Sequence, residues 1–149
     1  MNVTIRRAEL GDAAGIASCL ASLGYDTPAA LVVDKLSALA RSSGDAVLVA
    51  VEPSAVIVGV VSIHVLPLFH APGNLARLTA LAVRQDQQGR GVGRALVSAA
   101  EAFAWQHDCR RVEVTSGDHR PGAHAFYGKL EYRTDERRFI KVGPPAAAV

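Results

Sequence analysis

With 149 residues, half of them apolar and 20% charged, the chain has material for a single domain around one hydrophobic core and lies far from the composition of a disordered or fibrous protein. Lys and Arg exceed Asp and Glu by only 16 to 14, and the pI near 8.7 is too mild for a broad nucleic-acid footprint. The opening MNVTIRRAEL lacks the apolar core of a signal peptide, and no run approaches the ~18 uncharged apolar residues that a bilayer span needs, so a cytoplasmic protein without membrane partners is expected.

Residues 3–7 alternate apolar and polar side chains like a strand, and Asp12 then reads as the cap of a helix whose Ala13, Ile16, Ala17 and Leu20 share a face. After the break at 24–28, Leu31, Val32, Lys35, Leu36 and Leu39 repeat at helical spacing. Residues 46–51 and 56–66 are β-branched runs joined by Glu52-Pro53-Ser54, the chemistry of a hairpin turn. A loop carrying His70 follows, then a strand at 75–83. From Gly91 the period becomes 3.6, with Val92, Ala95, Leu96, Ala99 and Phe103 on one stripe of a long helix ending near His107. Residues 111–115 read as a strand, 123–130 as a short helix, and Tyr132 with 139–142 as closing strands before a Pro/Ala-rich tail. Cys19 and Cys109 stand far apart outside any Cys/His cluster, which gives neither a zinc site nor a disulfide framework.

The most informative segment is Leu81-Ala-Val-Arg-Gln-Asp-Gln-Gln-Gly-Arg-Gly-Val-Gly-Arg, a strand followed by three alternate glycines that open a helix. Gly89, Gly91 and Gly93 carry no Cβ to hold a phosphate away, so backbone N–H groups can converge on it at the positive end of the helix dipole, with Arg90 and Arg94 at the rim. A dinucleotide fingerprint would need a small residue where Leu96 stands. A Walker loop fails at Gly122 to Gly128-Lys129-Leu130, which has one residue too many and ends in leucine.

The run Gln88-Gly-Arg-Gly-Val-Gly93 resembles the Gln/Arg-x-x-Gly-x-Gly/Ala motif of the GNAT N-acetyltransferases, and the order of elements is similar to that fold across nearly the whole chain. The resemblance implies a mixed α/β fold: a mostly antiparallel sheet of six to seven strands, flanked by about four helices and splayed between its fourth and fifth strands. It also implies that acetyl-CoA is the co-substrate. The amides of Gln88, Gly89, Arg90, Gly91, Val92, Gly93 and Arg94 would hold the pyrophosphate, Leu81 and Val83 would pair with the pantetheine arm as with an added strand, and an N–H near Leu81 or Ala82 would polarise the thioester carbonyl. A second match, Ala123-His-Ala-Phe-Tyr127-Gly-Lys-Leu-Glu-Tyr132, resembles the family's Ala-x-x-Phe-Tyr-x-x-x-Gly-Phe/Tyr segment and implies Tyr127 as the acid that protonates the departing thiolate. Glu131 stands where the family usually has glycine, and Arg120 where many members have asparagine.

An amine attacks only as its free base, so a proton acceptor or water relay is required. Arg77, Thr79 and Ala80 occupy the stretch where some family members carry a glutamate, which leaves His64, His70, His119, His124 and Glu113 as candidates with no recognisable dyad among the histidines. His124 lies one helical turn before Tyr127, and Glu113 sits on the strand that follows the long helix. The expected activity is direct transfer of acetyl to a primary amine, a small molecule rather than a peptide, without a covalent intermediate or a metal. A homodimer is a further implication of the resemblance. The competing readings are a non-catalytic acyl-CoA module, a peptide acetyltransferase and an unrelated ATP or NAD domain.

Overall fold

The computed structural model describes residues 2–115, 121–135 and 137–146; the chain divides into two compact units, Met1–Thr115 and Ser116–Val149, which are taken in turn. In the first, β1 (Thr4–Arg7), β2 (Asp45–Val51), β3 (Ile57–Pro67), β4 (Asn74–Val83) and β5 (Cys109–Val114) lie side by side in sequence order. The first three pairings are antiparallel and β4 with β5 is parallel. The hairpin between β2 and β3 turns through Ala55, in the left-handed region at φ 70°, with the Ala55 amide donating to Glu52 at 2.8 Å.

Each face of the sheet carries its own core. Ala46, Leu48, Val61, Ile63, Ala76 and Leu78 pack against α3 (Val92–Gln106), which contributes Val92, Leu96, Ala100, Phe103 and Ala104. On the other face Val49, Ile57, Val60 and Ala82 meet α1 (Ala13–Ala21) and α2 (Ala29–Leu39) through Ala13, Ile16, Cys19 and Val32. The α3 stripe is rotated from the expected one, since Val97, Ala100 and Ala104 are buried while Ala95 and Ala99 are half-buried. Asp12 also differs from its expected capping role: its carboxylate bonds Arg6 (2.7 and 3.0 Å) and the Glu9 amide (2.8 Å), and makes no side-chain bond to α1. Both cysteines are free and buried, and burial pushes the Cys19 thiol up to about 11.

A β-bulge sets the shape of the sheet. Ser62 pairs with Ala80 and Ile63 with Leu78, so Thr79 is an extra residue on β4. The bulge restores the facing of the strand: Ala76 and Leu78 before it, and Leu81 and Val83 after it, all lie on the α3 side. Pairing of β4 with β5 covers residues 74–78 and ends at the bulge, so beyond it the two strands part.

The second unit holds α4 (Pro121–Lys129). It ends in a Schellman motif, with Tyr132 N–H donating to the Tyr127 carbonyl (3.0 Å) and Glu131 N–H to Gly128 (3.1 Å). Glu131 takes the left-handed position at φ 69°, the conformation that favours glycine there, and the Tyr127 and Tyr132 rings meet edge to face at 5.7 Å. The expected closing strands are not formed: the sheet has five strands among the described residues, and Phe139, Ile140 and Val142 lie outside any strand and are exposed. An apolar run holds a strand only when one face of it is buried, and Pro144 and Pro145 remove ladder donors just beyond.

Candidate functional site

The glycine-rich turn joins the free end of β4 to α3. Gly89 and Gly91 hold φ 79° and 84°, a conformation that L-residues adopt at a cost of ~1–2 kcal/mol. A Cβ built on Gly89 meets nothing within 4 Å, so the space above this turn is open. Gly91 is the N-cap of α3 and makes no side-chain cap bond. The first helical bond runs from Ala95 N–H to the Gly91 carbonyl (3.1 Å), which leaves the amides of Val92, Gly93 and Arg94 as the orphan donors of the first turn. Arg90 and Arg94 are exposed beside them.

Sequence reasoning passed over Gly59, the residue that brings this turn close to the sheet. A Cβ there would stand 2.8 Å from Leu96 Cδ1, 3.1 Å from Val92 Cγ1 and 3.3 Å from the Ala82 carbonyl. Its absence lets the first turn of α3 lie directly on β3. An isolated glycine in a strand is the signal that could have found it.

The phase of the β3–β4 ladder fixes which amides reach the open edge. Arg84 N–H donates to the Val58 carbonyl (2.9 Å), and in antiparallel pairing alternate residues exchange bonds with their partner. Ala82, opposite Val60, therefore turns its N–H and C=O to β3, whereas Leu81 and Val83 turn theirs toward the gap left by β5. Gln88 Nε2 donates to the Val83 carbonyl at 3.1 Å, in keeping with that direction. Of the two residues expected to supply the polarising amide, Leu81 has the outward one; the side chain of Ala82 is buried against the other core.

Glu113 does not present a free carboxylate. Arg77 Nη2 donates to one oxygen and Arg111 Nε to the other, each at 2.6 Å, so both are committed to guanidinium groups. Arg77 Nε is buried without a hydrogen-bond partner among the described residues. His64 forms the dyad that was not apparent from spacing: Nδ1 is 2.8 Å from Asp45 Oδ1, and Nε2 is 2.8 Å from both Ser62 Oγ and Thr79 Oγ1. His70 is exposed on the β3–β4 loop, and His119 and Arg120 fall outside the described residues. In the second unit, exposed His124 precedes Tyr127 by three residues on α4; the Tyr127 ring meets Phe126 edge to face at 5.1 Å, and burial raises its phenol above the usual value. Raising it keeps the hydroxyl protonated, as a donor must be.

Comparison with known proteins bears on the family and the fold. The model of the Acetyltransferase (GNAT) family matches residues 21–132. A transcriptional regulator from Bacillus halodurans C-125 superposes with a TM-score of 0.86 at 23% identity, over 95% of this chain and 100% of its own. A putative acetyltransferase from Agrobacterium tumefaciens str. C58 gives 0.83 at 24%, over 94% and 99%. Glucosamine-6-phosphate N-acetyltransferase from Arabidopsis thaliana gives 0.81 at 17%, over 95% and 99%. At these identities the likeness shows the fold alone. No curated protein matches the sequence.

Proposed function

Because this chain belongs to the GNAT acetyltransferase family, we propose that it acts as one domain over residues 1–149 to transfer acetyl from acetyl-CoA to a small-molecule primary amine by direct attack. The observation that carries the reading is the free edge of β4 running into the glycine turn: outward amides at Leu81 and Val83 lead to the orphan donors of α3. Acetyl-CoA supplies the activated acetyl group as a thioester. Gln88 and the amides of residues 89–94 bind its pyrophosphate, helped by the helix dipole and by Arg90 and Arg94. Leu81 and Val83 orient the pantetheine arm by strand addition, and the Leu81 N–H polarises the acetyl carbonyl. Tyr127 donates a proton to the leaving sulfur; the upward shift of its phenol supports that role. The fit to acetyl-CoA rests on the open space over Gly89 and the unpaired strand edge.

Two measurements test the reading. Ligand at a hundred times its dissociation constant stabilises a fold by ~2.7 kcal/mol, so acetyl-CoA should raise the melting temperature by several degrees, and ATP or NAD should not. Thiol release from acetyl-CoA should then appear with at least one member of a panel of amines, amino sugars and peptides. Equal protection by ATP, or no thiol release with any acceptor, would sink the proposal.

A further inference from the structure

Asp45, His64, Ser62 and Thr79 form a carboxylate–imidazole–hydroxyl chain at the place where β4 leaves β5. Val60 packs into the core under α1 and α2, and strand alternation puts Ser62 and His64 on that same face. Asp45 is the direct register partner of His64 on β2, and Thr79 is the bulge residue of β4. Each contact has a separate structural cause, yet all three meet one ring.

The hydrogen bonds fix the tautomer. A carboxylate only accepts, so Nδ1 carries the proton toward Asp45 and Nε2 offers its lone pair to the hydroxyls. The imidazole is half-buried whereas Thr79 is exposed, so the Thr79 hydroxyl is what an approaching molecule meets first. Thr79 is also the first residue of β4 past its pairing with β5 and lies two residues before Leu81, whose amide faces the gap.

We propose that His64 is the proton acceptor for the amine, receiving the proton through the Thr79 hydroxyl while Asp45 orients the ring and stabilises the imidazolium. The inference rests on the acetyltransferase reading. The ammonium form of the acceptor gives one proton to Thr79 Oγ1, which passes its own to Nε2. The freed nitrogen lone pair then forms the N–C bond as the C–S bond breaks, the sulfur takes a proton from Tyr127, the second proton leaves the acylated nitrogen and returns through water to the Tyr127 phenolate, and the imidazolium gives its proton to water. The charged groups around His64 are Asp45 on β2 and Arg77 directly across on β4, with Glu113 and Arg111 beyond Arg77 on β5. From the helices, Leu36 and Leu39 of α2, with Ala40 just past its end, line a hollow of about 290 Å³ shared with Asp45 and Arg7. Glu113 is held by two arginines, whereas the His64 Nε2 lone pair faces the hydroxyls of Ser62 and Thr79.

The test compares wild type with His64→Gln and Asp45→Asn. General-base loss costs about 10²–10⁴-fold, so H64Q should lose at least a hundredfold in kcat/KM for an alkylamine at neutral pH, with unchanged acetyl-CoA affinity by calorimetry. With an aromatic amine, already unprotonated, the loss should shrink to within threefold. D45N removes the carboxylate that orients the ring, so it should lower kcat/KM for the alkylamine more than for the aromatic amine while acetyl-CoA affinity stays unchanged. An equal loss with both amines would mark a structural role, and a loss below threefold with the alkylamine in H64Q would exclude the base; either overturns the proposal. Failure of the wild type to bind acetyl-CoA would instead tell against the acetyltransferase reading itself.

Discussion

The Gln88 side-chain amide donates to the Val83 carbonyl at 3.1 Å and so ties the glycine turn to the open edge of β4. Gln88 is exposed and supports no core, so Gln88→Ala should leave the melting temperature within a degree or two. One hydrogen bond is worth ~1 kcal/mol, and the acetyl-CoA dissociation constant should rise about fivefold by calorimetry. An unchanged constant would separate this contact from cofactor binding.

Gly59 makes the opposite prediction. Gly59→Ala forces a Cβ against Leu96 and Val92, both fully buried, and overpacking of this kind costs ~1–3 kcal/mol. The melting temperature should fall, and acetyl-CoA affinity should fall with it as the first turn of α3 is lifted off the sheet. A variant that is destabilised but binds with full affinity would show that the cradle tolerates this displacement.

Acid should weaken the first unit through Asp12. The hydrogen bond from Arg6 holds the Asp12 carboxyl below its ordinary value, and the Glu9 amide acts in the same direction. A depressed folded-state value means stability that is present above the unfolded value near 3.9 and lost as pH falls below it. Asp12→Asn should therefore cost roughly 1 kcal/mol at pH 7, partial exposure of Arg6 keeping the figure low. Thermal melts should show a shallower decline between pH 5 and 3 in the variant than in the wild type.

At Glu131 a substitution should stabilise. A left-handed conformation costs an L-residue ~1–2 kcal/mol, and the Schellman bonds that hold it need only backbone. Glu131→Gly should slow hydrogen exchange at the amides of residues 130–132, by about fivefold for the ~1 kcal/mol recovered. Faster exchange would mean that the glutamate side chain contributes more than its backbone costs.

The glycine turn and α3 were legible because their signals are local: alternate glycines, then a long run at period 3.6. Glu131 stood out for the same reason, a residue in a glycine position, and its φ supplies the cause. The Asp45–His64 pair was not legible. Counting back from the Val51–Ile57 pair without a register shift sets Asp45 opposite Ile63, on the wrong face, and the irregularity between Ala50 and Val51 corrects this by one residue. The closing strands were overestimated because Phe139, Ile140 and Val142 satisfy a strand pattern whether or not a surface exists to bury them.

Thr79 separates the durability of the sheet from its use. Deleting it restores plain alternation through β4 and leaves Ala76, Leu78, Leu81 and Val83 facing α3 as before. Such a shortened chain should still melt cooperatively, because no apolar side chain changes sides. It would lose the bend that lets β4 diverge from β5, together with the hydroxyl beside His64. A length change of one residue, neutral to the core, should thus be enough to produce a folded protein that lacks the gap in which acetyl-CoA is proposed to bind.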